Sequence, residues 1–185
     1  MGTTLDDIAV HSEIARPLLE IADPRYSAAA FFLFREARSL DRSDLQAWEA
    51  MLSEDIHYFM PIRQTRNTGE PDINRSMAHF DEDYASLKAR IHRLGLRSAW
   101  AENPRSRTRR FVSNILVRVG AESDVLEVDS YLLLTRNRHD ETDFMQLSCE
   151  RHDWLRVTAD GLKLCRREII MDQVVLGLPN LAIFL

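Results

Sequence analysis

A chain of 185 residues, 45% hydrophobic and 29% charged, with a net charge of −5, is long enough to bury one real core and too apolar to stay disordered. The net negative charge argues against nucleic acid, whose binding needs an excess of cations facing phosphates. No apolar run approaches the ~20 residues of a membrane helix and Met1–Val10 lacks a basic segment followed by an apolar one, so no membrane contact and a cytoplasmic location are expected.

Residues 1–22 read as a polar arm. Asp23-Pro24 supplies a cap and a first-turn proline, and the apolar run Tyr26–Leu40 follows as a helix whose all-round apolarity predicts burial. Ser43 with Gln46 has the capping-box pattern, and Leu45, Trp48, Met51 and Leu52 recur at helical spacing, predicting a second helix to about Ser53. Ile56–Arg63 is aromatic and β-branched enough for a strand, with Pro61 marking an edge or a bulge. Gln64–Phe80 is polar and rich in turn residues and reads as a long loop. A third helix opens at Asp81, with acids first, Arg90 and Arg93 near its end, and Gly95 after it.

The period then changes. Four strands are predicted, at about Arg109–Val119, Val125–Arg138, Phe144–Val157 and Leu162–Val174, separated by short turns that make neighbours antiparallel. Phe111, Ile115, Val117 and Val119 are assigned one face of the first strand, and Leu126, Val128, Leu132 and Leu134 one face of the second. Helices first and a long-stranded antiparallel sheet second is an α+β layout in a single domain, residues 1–185, with a mainly helical part at 23–100 and the sheet at 101–185. Strands of this length twist and coil, so the sheet wraps the N-terminal helices as a cone.

Motifs for chemistry are sparse. Cys149-x-x-His152 has half the ligand spacing of a Rieske cluster, but Cys165 lacks a following His, and residues three apart on a strand face opposite ways. His79 beside Asp81, Glu82 and Asp83, and His139 beside Asp140 and Glu141, are explained by a helix start and a solvated turn. Cys149 and Cys165 are too few for a disulfide scaffold and read as free buried thiols. No glycine-rich phosphate loop or nucleophile elbow is present. His57, Tyr58, Asp129 and Tyr131 remain as acid/base candidates for a cone that opens on a small hydrophobic substrate. The uncharged stretch Val174–Leu185 is either a last core strand with a tucked tail or part of a subunit interface.

One cluster stands out: Arg105, Arg107, Arg109 and Arg110 lie within six residues and run into the strand FVSNILVRV. Only Lys88 and Lys163 among the 24 cations are lysines, and arginine suits bidentate contacts at interfaces.

Four segments, FREARSLDRSDLQAWEAMLSEDIHYFMPIRQTR, AHFDEDYASLKARIHRL, WAENPRSRTRRFVSNILV and RREIIMDQVVLGLPNLAIFL, resemble in that order the small (β) subunit of Rieske-type aromatic-ring-hydroxylating dioxygenases, from about Phe32 to Leu185. The Asn-Pro-x-Ser-Arg-x-Arg segment Asn103–Arg109, entering a strand as Phe-Val-Ser-Asn, is the most specific part. Pro104-Arg105 stands where these subunits often have Pro-Pro. The resemblance implies a cystatin-like or NTF2-like cone and a structural subunit in a hexamer of three large and three small chains. It also implies a reaction that adds O₂ to an aromatic ring to give a cis-dihydrodiol, with electrons from NADH passed by a reductase and a ferredoxin. No cofactor is expected on this chain; the Rieske [2Fe–2S] cluster and mononuclear non-haem iron are implied for the large subunit. Trp100, Asn103, Pro104, Arg105, Arg107, Arg109 and Arg110 are then the interface candidates, with two of the four arginines expected to pair within the chain. The alternative is a free-standing isomerase or dehydratase on the same cone.

Overall fold

A computed structural model describes residues 16–95, 105–138, 140, 142–177 and 183–185. Helix α1 spans Pro24–Asp41, capped by the Asp23 side chain, which accepts from the Arg25 backbone N–H. Its buried residues, Ala29, Phe32, Leu33, Glu36, Ala37 and Leu40, form one stripe at helical spacing. Phe31 and Phe34 are 63% and 51% exposed, which corrects the expectation of all-round burial: a helix laid on one sheet hides only the stripe that faces it.

The second helix, α2, covers only Leu45–Glu49. Asp44, not Ser43, caps it, accepting from Ala47 N at 3.1 Å, because Ser43 takes φ of 57° in ending α1. Trp48 is its buried residue, while Leu52 already opens strand β1, Leu52–Arg63. Pro61 sits between two register shifts in the pairing of β1 with strand β2, a bulge in an inner strand.

Strand β2, Ile73–Glu82, replaces the expected loop over much of Gln64–Phe80. Its residues are mostly polar and none is buried, as suits a sheet edge, so no apolar alternation announces it. Helix α3 consequently starts later than Asp81, at Tyr84–Gly95, with Asp83 accepting from Ser86 N at 2.8 Å.

The remaining strands are β3 (Arg107–Val119), β4 (Val125–Asn137), β5 (Met145–Thr158) and β6 (Gly161–Met171), close to the expected bounds. The six strands order as β2-β1-β6-β5-β4-β3, antiparallel except that β1 runs parallel to β6. That pair corrects an all-antiparallel sheet: β1 joins from the helical half, and only the hairpins are forced antiparallel by short turns. Leu18 bridges to Arg118 and Leu19 N donates to Val117 O at 2.8 Å, so the arm covers part of the β3 edge.

The face assignment on β3 fails halfway, for a local reason. Between Ser113 and Leu116 three residue steps on β3 match two on β4, Tyr131 to Asp129, and Asn114 takes φ of 54°. The extra residue is a bulge that reverses side-chain parity. Val117 therefore points into the core at 0% exposure, whereas Phe111, before the bulge, is 54% exposed. On β4, Leu126, Val128, Leu132 and Leu134 are all buried on one face as expected.

Candidate functional site

The acid/base candidates do not meet. His57 and Tyr58 are neighbours on β1 and point to opposite faces. His57 lies outside, its Nε2 2.8 Å from exposed Asp81; Tyr58 is fully buried. Asp129 pairs across strands with His152 Nδ1 at 2.7 Å and with Arg118 at 2.9 Å, on the face of β4 that carries half-exposed Tyr131. The hydrogen bond to Asp129 raises the His152 imidazole above its ordinary value.

Inside the cone lies a charged network that sequence reasoning missed. Glu36 of α1 accepts from Trp48 Nε1 at 3.0 Å, from Arg167 Nη1 and Nη2 at 2.7 and 2.8 Å, and from Arg151 at 3.3 Å. Asp153 takes two further hydrogen bonds from Arg167, at 2.6 and 2.8 Å. All four charged residues are at most 1% exposed. Burial pushes the Glu36 carboxyl up, but the two guanidiniums outweigh it and bring it down to about 2. Burial likewise disfavours the Arg167 cation, yet Asp153 and Glu36 hold it well above its ordinary range. The signal was available: Arg151 and Asp153 share strand parity with Leu147, Cys149 and Leu155, and Glu36 lies four residues from Phe32 on the buried stripe.

Residues 183–185 fill the space in front of this network. Phe184 packs on Trp48 with ring centroids 4.2 Å apart, and the Arg90 guanidinium stacks on it at 4.3 Å. Three successive carbonyls are each taken by a different arginine: Ile183 O by Arg90 at 2.9 Å, Phe184 O by Arg110 at 2.6 Å and Leu185 O by Arg167 at 2.8 Å. The Tyr58 hydroxyl donates to Leu185 O at 3.0 Å and accepts from Leu185 N at 2.9 Å. A cavity of about 50 Å³ remains beside Phe184 and Ile183, enough for a water or two and far below the ~300 Å³ of a ligand pocket.

The arginine cluster divides. Arg110 is 8% exposed; its Nη1 pairs with Asp41 at 2.6 Å and its backbone N–H donates to the same carboxylate at 3.0 Å. Arg107 donates to the Asn137 side chain. Arg105 and Arg109 are exposed and have no ion-pair partner among the described residues. Trp100, Asn103 and Pro104 lie outside the described residues.

Residues 35–177 match the family described as "Ring hydroxylating beta subunit". The chain belongs to this family. It is 38% identical to the benzene 1,2-dioxygenase β subunit of Pseudomonas putida over 83% of its own length and 84% of that protein. A solved naphthalene 1,2-dioxygenase with indole in its active site has a chain of the same fold, with a TM-score of 0.81 and 23% identity, covering 99% of this chain and 95% of that one. A protein named as a scytalone dehydratase from Novosphingobium aromaticivorans shares the fold more loosely, with a TM-score of 0.58 and 17% identity over 80% of this chain and 85% of that one.

The chain is thus a ring-hydroxylating dioxygenase β subunit, and the Cys149–His152 pair does not fit an iron centre. Cys149 is buried on the inner face of β5 and His152 lies on the outer face. Burial pushes the Cys149 thiol up to about 12, far from the thiolate a metal requires. His79 is exposed on β2, and among the described residues no three His, Cys, Asp or Glu side chains group to hold a metal ion.

Proposed function

We propose that this single-domain chain is the structural, non-catalytic β subunit of a cytoplasmic dioxygenase, assembled as three copies with three copies of a large subunit. In this reading the large subunit carries the Rieske [2Fe–2S] cluster, which relays electrons, and the mononuclear iron, which activates O₂. A reductase and a ferredoxin bring the electrons from NADH, and the product is a cis-dihydrodiol of an aromatic compound. Exposed Arg105 and Arg109 face subunit contacts, Arg107 adjoins them, and Arg110 braces the segment from within through Asp41.

The filled cone is the observation that carries the non-catalytic part. An isomerase or dehydratase on this fold needs an open pocket with a convergent acid and base. Here the inward acids and arginines bind one another, and Phe184 and Leu185 occupy the space. Purification from source cells followed by native mass spectrometry and iron analysis tests the reading. Three copies with three of a larger iron-containing chain are expected. An iron-free monomer or homo-oligomer that turns over a hydrophobic substrate overturns it.

A further inference from the structure

The last turns of α1 and strand β3 enclose a groove of about 340 Å³, within the size range of small-molecule sites, ~300–1,000 Å³. Four arginines, Arg38, Arg42, Arg109 and Arg110, meet there beside Phe34, and Asp41 is the one acid. Asp41 is already committed, binding the Arg110 guanidinium and backbone and the Thr108 hydroxyl. Arg110 is 8% exposed; its Nη atoms go to Asp41, Thr108 and the Phe184 carbonyl, and its Nε has no partner. Arg38, Arg42 and Arg109 are exposed, and among the described residues none of the three has a hydrogen-bond or ion-pair partner.

A helix dipole favours cations in the last turn, which suits Arg38 and the following Arg42. It does not bring Arg109 of β3 to the same groove. Nor is a shortage of acids the reason, since the chain has a net charge of −5 and other exposed arginines are matched, as in Arg75 with Glu168 and Arg156 with Asp55. Like charges crowded in a concave site repel one another until an anion arrives, and walls of low dielectric focus their field.

We propose that this groove binds a small oxyanion carrying at least two negative charges, a phosphate group or a dicarboxylate. Arg38 and Arg42 reach it from the helix and Arg109 from the strand, each with an N–H fork that matches two oxygens of a carboxylate or phosphoryl group. Phe34, 51% exposed, adds an aromatic face against which a ring attached to the anion stacks. The site does not rest on the subunit reading, because every residue it uses belongs to this chain.

Calorimetric titration at neutral pH and fixed ionic strength tests it, on the free chain and on its purified complex, with inorganic phosphate and benzene-1,2-dicarboxylate as probes. Saturable binding of one anion per chain is expected, tighter for the dicarboxylate because of Phe34; tighter binding of phosphate would name a phosphoryl group as the ligand. Arg38→Gln and Arg42→Gln should each weaken binding about tenfold, while Arg35→Gln, on the same helix but outside the groove, should leave it unchanged. Unfolding midpoints of the two groove variants without anion should match the wild type, since neither arginine has a partner among the described residues. No saturable binding of either probe, or binding that both groove variants leave intact, overturns the proposal. So does binding to the free chain that vanishes in the complex, which would assign the groove to a carboxylate of the large subunit.

Discussion

Replacing Glu36 by Gln keeps the shape of the side chain and removes the one charge that lies between Arg151 and Arg167. Two buried cations are left with Asp153 alone. Breaking a buried ion pair from one side costs about 3–5 kcal/mol, because the surviving charge is neither solvated nor matched. An independent route gives a similar figure. The Glu36 carboxyl is lowered from 4.5 to about 2, and a depressed acid contributes stability that is full above its unfolded value and is lost as pH falls through its folded one. Each unit is worth about 1.4 kcal/mol, so about 3 kcal/mol disappears between pH 4.5 and 2. For a chain of this size that is a drop of roughly 10 °C in unfolding midpoint. Urea unfolding of wild type and Glu36→Gln at pH 7 and pH 3 measures both effects. The variant should be much weaker at pH 7 and should lose less than the wild type on acidification. A loss under about 1 kcal/mol at pH 7 would refute the reasoning, since a pair that costs little to break is not buried against its partners.

Phe184→Ala removes a ring that is 2% exposed and held between Trp48 and Arg90, and should cost about 3–5 kcal/mol in denaturant unfolding; wild-type stability would show that residues 183–185 do not plug the cone. Asn114→Val places a β-branched residue at φ of 54° and should lower stability by about 1–2 kcal/mol, with Asn114→Gly tolerated. His152 is raised above 6.5 chiefly by its hydrogen bond to Asp129, so it stabilises the fold below pH 6.5 and that contribution fades as pH rises through the raised value. Its NMR titration midpoint should lie above 6.5 and move down in Asp129→Asn; an unmoved midpoint refutes the pairing.

What the sequence made legible was periodicity. The hairpins β3 to β6 carry alternating residues and turn signals, and their bounds follow to within three residues. What stayed hidden depends on partners distant in sequence. Strand β2 is polar because it is an edge, and its identity comes from the β1 backbone beside it. Asn114 shifts the face of half a strand with nothing in its neighbours' identities to announce it. Glu36 and Arg167 are 131 residues apart, and nothing local in the sequence pairs them. The Cys149–His152 spacing drew attention to a metal, while the two residues between and beyond them on the inner parity, Arg151 and Asp153, belong to the buried network.

The filled cone explains why one fold serves both enzymes and subunits. Inward-pointing strand residues converge at a depth where water is scarce, so any acid or base there is perturbed and, if left free, reactive. In this cone Glu36 is bound by two arginines, Asp153 by Arg167, and Tyr58 by the backbone of Leu185. The Arg90, Arg110 and Arg167 guanidiniums each have an N–H left over, and the carbonyls of residues 183–185 accept from them. Most of the polar groups that would otherwise demand a ligand are thus satisfied from within, Arg151 Nε and Arg110 Nε being left without a partner, and such a buried network favours one rigid arrangement. Such a cone would suit the assembly role proposed above: Arg110, next to Arg109 in sequence, is fixed by Asp41 on one side and the Phe184 carbonyl on the other.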